Sequence, residues 1–106
     1  MTNETNANPT QLTLKIFGQD GCQPCRIIKT IIEGERPDIE ELGVAIEHVD
    51  LTRGARDDRA ELIEKYGIMS TPVTVVERGS EVITRFNGMF NMKELYETLE
   101  YAKEAR

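Results

Sequence analysis

Two cysteines, one histidine and no tryptophan are a thin supply of chemistry-bearing side chains for 106 residues. A structural zinc site takes four ligands, and two cysteines with one histidine cannot provide them within a single chain. No apolar run is long enough to span a bilayer, which excludes a membrane helix. Basic residues are outnumbered 13 to 19, so the chain lacks the positive face that nucleic acid requires of a partner. The start, MTNETNANPTQ, has neither the basic opening nor the apolar stretch of a secretory signal. A cytoplasmic, reducing location is the resulting expectation. There is no internal repeat.

What is present fits one domain. Residues 1–11 are rich in Asn and Thr without apolar periodicity and read as a disordered tail, leaving 12–106 as the folded unit. LTLKIF (12–17) alternates and is apolar on both faces by its end, as in a central strand. From Cys22 to about Glu33, Ile27, Ile28, Ile31 and Ile32 form one helical stripe. Gly34 and Pro37 interrupt it, and DIEEL can add a further turn. VAIEHVDL (44–51) predicts a second strand, parallel to the first across a helical crossover. A second helix is expected from about Asp57 to Tyr66, with Ala60, Leu62, Ile63 and Tyr66 inward and Gly67 ending it. PVTVV and EVITRF predict a hairpin through Arg78-Gly79-Ser80. Asn91 and Glu94 have capping-box spacing before a last helix that buries Leu95, Leu99 and Ala102. The predicted order is βαβαββα.

Both cysteines fall in GQDGCQPCRIIK, three positions apart, between a strand and a helix. At that spacing across a first helical turn they can close a disulfide, and the positive helix end favours a thiolate on Cys22. Pro24 loses no intrahelical hydrogen bond there. Arg26, four residues on, is either a second favourable charge or an ordinary solvated side chain. It also occupies the place where a c-type haem motif needs histidine. Two inert buried cysteines are the remaining alternative, against which the Gly- and Pro-flanked turn counts. Read alone, Thr71-Pro72 is an ordinary trans turn before a strand. Met69, Met89 and Met92 read as gap-fillers between helix and sheet, with an adaptable apolar contact surface as the alternative, TRGARDDR as a solvated loop and helix start, and His48 as a structural or surface residue rather than a proton shuttle.

GCQPC before a helix, KYGIMSTPV before a hairpin and ERGSEVITRFNGMFNMKEL into the last helix together resemble the thioredoxin superfamily, from Leu12 to about Tyr101. The resemblance implies a four-stranded mixed sheet flanked by helices, Cys22 as attacking cysteine and Cys25 as resolving cysteine. It also implies a cis Thr71-Pro72 beside the pair, where Thr71 backbone can pair with substrate, and Gly88 at the same groove. Gln23, Pro24 and Arg26 become tuning positions. This chain departs from the thioredoxin pattern in having Gly21 where the family has tryptophan, and Ile16 where it has a buried acid. The Gly-Gly feature by which glutaredoxins hold glutathione is missing from NGMFNMKEL.

The function that follows is thiol-disulfide exchange with protein disulfides, without organic cofactor or metal, by a monomer served by a recycling reductase or by glutathione. A glutathione-dependent glutaredoxin and a non-catalytic binding module using the groove near Pro72 are the alternatives.

Overall fold

Alternation in the first strand sorts its side chains onto two faces, and the fold is built outward from it. The computed structural model describes residues 10–104, so the tail expected over 1–11 lies, up to residue 9, outside the described residues. Gln11 is held to the hairpin, its carbonyl accepting from the Gly79 N–H at 3.1 Å. β1 (Leu12–Gly18) pairs in parallel with β2 (Val44–Asp50) and antiparallel with β3 (Val73–Arg78), which pairs antiparallel with β4 (Glu81–Asn87). The mixed sheet has the order β2-β1-β3-β4. Between the parallel strands run α1 (Gln23–Gly34) and α2 (Arg36–Glu41); α3 (Arg56–Tyr66) precedes β3, and α4 (Met92–Glu104) closes the chain. Glu35 separates α1 from α2, at the break that Gly34 and Pro37 announce.

One face of the sheet carries the larger core, in which Leu12, Leu14 and Ile16 meet Ile28 and Ile32 of α1 and Leu95 and Leu99 of α4. The other carries Phe17, Val73 and Val75 with Tyr66 at the end of α3. The isoleucine stripe is narrower than expected. Ile28 and Ile32 are buried, but Ile27 and Ile31 stay 43% and 36% exposed, because adjacent residues point about 100° apart and only one row meets the sheet. The same geometry corrects α3: Tyr66 is buried and Leu62 half-buried, while Ala60 and Ile63 face solvent. The hairpin loop is Gly79-Ser80, since Arg78 already pairs with Glu81, and the left-handed backbone of Gly79 suits so short a turn. Asn91 and Glu94 close a reciprocal capping box, the Glu94 N–H donating to Asn91 Oδ1 at 2.8 Å and the Asn91 N–H to Glu94 Oε1 at 3.1 Å.

The second face also holds charge that the alternation in LTLKIF does not announce. Lys15 Nζ lies 3.1 Å from Glu77 Oε1, and Glu77 is only 3% exposed. The Tyr66 hydroxyl donates to Glu77 and accepts from Lys15 Nζ at 3.2 Å. No helix among the described residues is long and apolar enough to cross a membrane.

Candidate active site

β1 ends at Gly18, and five residues later α1 begins; this short connection places the cysteine pair just beyond the C-terminal end of a central strand. Gly21 takes a left-handed φ of +79° in that turn. Cys22 is the N-cap of α1, with extended backbone, and its Sγ accepts the N–H of Cys25 at 3.2 Å. An unpaired helix N-terminus is an electropositive end, so it stabilises negative charge on this sulfur. Gln23 and Pro24 fill the first two helical positions and are exposed, as is Arg26, whose N–H donates to the Cys22 carbonyl at 3.3 Å.

The two sulfurs form a disulfide, with Cα atoms 5.3 Å apart. Their surroundings differ. Cys22 is partly exposed, whereas Cys25 is 7% exposed beneath it. A bulky partner disulfide therefore reaches Cys22, whereas Cys25, which opens only onto an adjoining cavity, is shielded from it.

The antiparallel pairing of Phe17 with Val73 brings the residues before β3 alongside those after β1. Thr71-Pro72 lies there with a cis peptide bond, and Gln19 Nε2 donates to Thr71 Oγ1 at 3.0 Å, tying the cysteine loop to the proline loop. The Gly88 N–H donates to the Pro72 carbonyl at 2.9 Å. A Cβ on Gly88 would meet no described atom within 4 Å, so the protein itself needs glycine there for its φ of +91°, and any side chain would project into open space. Met69 is 96% and Met89 52% exposed, which corrects the gap-filling expectation for both; Met92 does pack against the larger core. Gln19 was missed because a lone Gln in a turn carries no sequence signal.

Gly18 was also missed, and its role is steric. A Cβ there would lie 3.2 Å from Cys25 Cβ and 3.5 Å from Cys25 Sγ. Gly18→Ala must push Cys25 aside by a few tenths of an ångström. A 1 Å misplacement can cost roughly 10²-fold, so closure of the disulfide in the alanine variant is expected to slow about several-fold. Quenched alkylation after mixing the dithiol form with oxidised glutathione measures it; an unchanged rate would show that Cys25 has room to spare.

Around the cysteine loop, Arg53 spans Asp20 Oδ1 at 2.9 Å and Asp50 Oδ2 at 2.6 Å, and the Asp20 N–H donates to Thr52 Oγ1 at 2.8 Å. TRGARDDR is exposed up to Asp58 and half-buried at Arg59, and its Arg53 clamps the loop that carries the cysteines. Among the described residues, no group of three or more His, Cys, Asp or Glu side chains is placed to hold a metal ion. The arrangement is suited to one chemistry, reversible exchange between an accessible sulfur at a helix end and a buried one behind it.

No family model and no curated protein matches the sequence. Solved structures do. The chain is 30% identical to a thioredoxin from Fasciola hepatica, with a TM-score of 0.73, covering 92% of this chain and 86% of that one. A variant thioredoxin from Halobacterium salinarum matches at 21% identity and a TM-score of 0.73, over 93% of this chain and 80% of that one. A thioredoxin from Malassezia sympodialis matches at 17% identity and a TM-score of 0.74, over 94% and 82%.

Proposed function

This chain belongs to the thioredoxin superfamily and is a thiol-disulfide oxidoreductase, and from that premise we propose that it reduces protein disulfides by dithiol exchange through Cys22 and Cys25. The observation that carries the reading is the asymmetry of the pair, with Cys22 partly exposed at the α1 N-cap and Cys25 buried. The Cys22 thiolate attacks one sulfur of a substrate disulfide and expels the other as a thiolate. Cys25 then attacks Cys22 Sγ, the substrate leaves with both electrons, and the Cys22–Cys25 bond closes. Thr71, Pro72 and Gly88 line the groove in which an extended substrate segment pairs with the Thr71 backbone. Gln23, Pro24 and Arg26 tune the Cys22 sulfur. The reaction needs no cofactor beyond the disulfide itself, the protein works as a monomer in the cytoplasm, and a reductase returns it to the dithiol form.

The equilibrium reduction potential of Cys22–Cys25, titrated in dithiothreitol or glutathione buffers, tests this. A two-electron transition near about −270 mV supports the thioredoxin-like reductase, and one near roughly −200 to −230 mV supports a glutaredoxin-like poise with glutathione as reductant. Absence of a reversible intramolecular disulfide would leave only the binding-module reading.

A further inference from the structure

Behind Cys25 the parallel register sets His48 directly beside Ile16. Side chains paired in this way share a face of the sheet, here the face covered by α1. Cys25, Ile16 and His48 line one open-sided cavity of about 240 Å³. That is room for several water molecules, each of which takes about 30 Å³ of liquid volume. Cys25 must lose a proton before it attacks Cys22 and regain one when it leaves, yet Ile16, its neighbour in the cavity, titrates nothing.

We propose that His48 exchanges the proton of Cys25 through water in this cavity. The inference rests on the oxidoreductase reading and adds to it a proton-relay residue.

The hydrogen bonds fix which ring nitrogen acts. His48 Nε2 lies 2.6 Å from Glu33 Oε2. Arg36 grips the same carboxylate, Nε to Oε1 at 2.8 Å and one terminal nitrogen to Oε2 at 2.7 Å. Arg36 first, and His48 after it, hold the Glu33 carboxyl down to about 2, so it is ionised and can only accept. Nε2 therefore carries the proton in the neutral ring, and Nδ1 is the basic atom.

Four other charged groups line the cavity. Arg26 and Lys29 come from α1, and both offer only donors when protonated. Asp50, from β2, accepts the Thr52 N–H at 2.8 Å and pairs with Arg53; these bonds, the Thr52 one foremost, hold it below the usual carboxylate range. Asp20, from the β1–α1 loop, is paired with Arg53. Histidine is the side chain whose ordinary titration falls between pH 5 and 8.

In the forward step a cavity water takes the Cys25 thiol proton while passing one to His48 Nδ1. The Cys25 thiolate attacks Cys22 Sγ, the bond from Cys22 to the substrate breaks, and the substrate leaves as a thiolate that takes a proton from solvent. In the reverse step a reductant thiolate attacks Cys22, and Cys25 leaves with the electron pair and regains its proton from the imidazolium through water.

The reverse step gives the test. Oxidised protein is reduced by dithiothreitol between pH 5.5 and 9, and the rate is divided by the thiolate concentration. Wild type is expected to slow about tenfold as pH rises through the imidazole titration, short of the 10²–10⁴ typical of directly positioned proton transfer. His48→Gln keeps a donor for Glu33 but cannot titrate; its rate is expected to be flat at the lower level. His48 is the chain's only histidine, so its ring resonances are unambiguous, and its midpoint is expected to differ between disulfide and dithiol forms of the wild type. An inflection retained in His48→Gln, or one ring midpoint in both forms, would overturn the proposal even if the variant folds poorly. A wild-type protein with no reversible Cys22–Cys25 disulfide would instead sink the oxidoreductase reading, a result visible before either comparison is made.

Discussion

Cys22→Ser is expected to lower disulfide reduction to the rate of reductant without protein, while leaving the fold in place. Serine at the N-cap is a preferred helix start and keeps an acceptor for the Cys25 N–H, so the loss cannot be ascribed to an unravelled α1. Of the two cysteine sulfurs, it removes the one a partner can reach. Cys25→Ser has a different signature. Cys22 still attacks, but with no second sulfur the mixed disulfide persists, so about one substrate thiol is released per protein and the complex is isolated by mass after acid quench. Steady turnover by Cys25→Ser in glutathione would mean that an external thiol resolves the adduct, the monothiol route of a glutathione enzyme. Turnover by Cys22→Ser would reassign the nucleophile.

The second large effect is on stability. Lys15→Ala is expected to cost about 3–5 kcal/mol in urea unfolding, the range for removing one partner of a buried ion pair. Glu77 would then keep a 3% exposed carboxylate whose nearest cation has gone, with the Tyr66 hydroxyl as its remaining partner. The combined replacement Lys15→Met, Tyr66→Phe and Glu77→Leu removes all three polar groups together. It is expected to unfold at or above the wild-type denaturant midpoint, because an apolar cluster of similar volume avoids the desolvation cost. A single variant within about 1 kcal/mol of wild type would place the pair among weak, solvent-screened bridges.

The network also sets a pH dependence. Burial works against the Lys15 ammonium, but its bonds to Tyr66 and Glu77 outweigh that and raise its pKa. Burial raises the Tyr66 pKa, and the bond to Glu77 adds to it. Tyr96 is pushed up to about 12 by burial and by Glu35. In each case the folded state binds its proton more tightly than the unfolded chain does, so stability is complete below the unfolded values, near pH 10, and falls as pH rises through the folded ones. The combined replacement should flatten that alkaline slope, leaving the Tyr96 part.

Much of this protein was legible in one dimension. Periodicity gave the order of elements, Gly67 and the Asn91–Glu94 spacing gave helix ends, and GCQPC gave the reactive pair, because turn chemistry, capping and helix-end electrostatics are local and are written within a few residues. Solvent exposure of half the α1 stripe, of Ile63 and of Met69 was decided by how much sheet each helix covers, which no single segment encodes. The roles of Gly18, Gln19 and His48 likewise come from strand register: β1 against β3 joins Gln19 to Thr71, and β1 against β2 sets His48 beside Ile16. Lys15 reads as the polar side of an alternating strand until Glu77, 62 positions away in sequence, is folded against it. Residue type and local spacing fix what chemistry a chain can attempt, whereas distances between residues far apart in sequence exist only once the sheet has formed, and those distances decide which groups the chemistry uses.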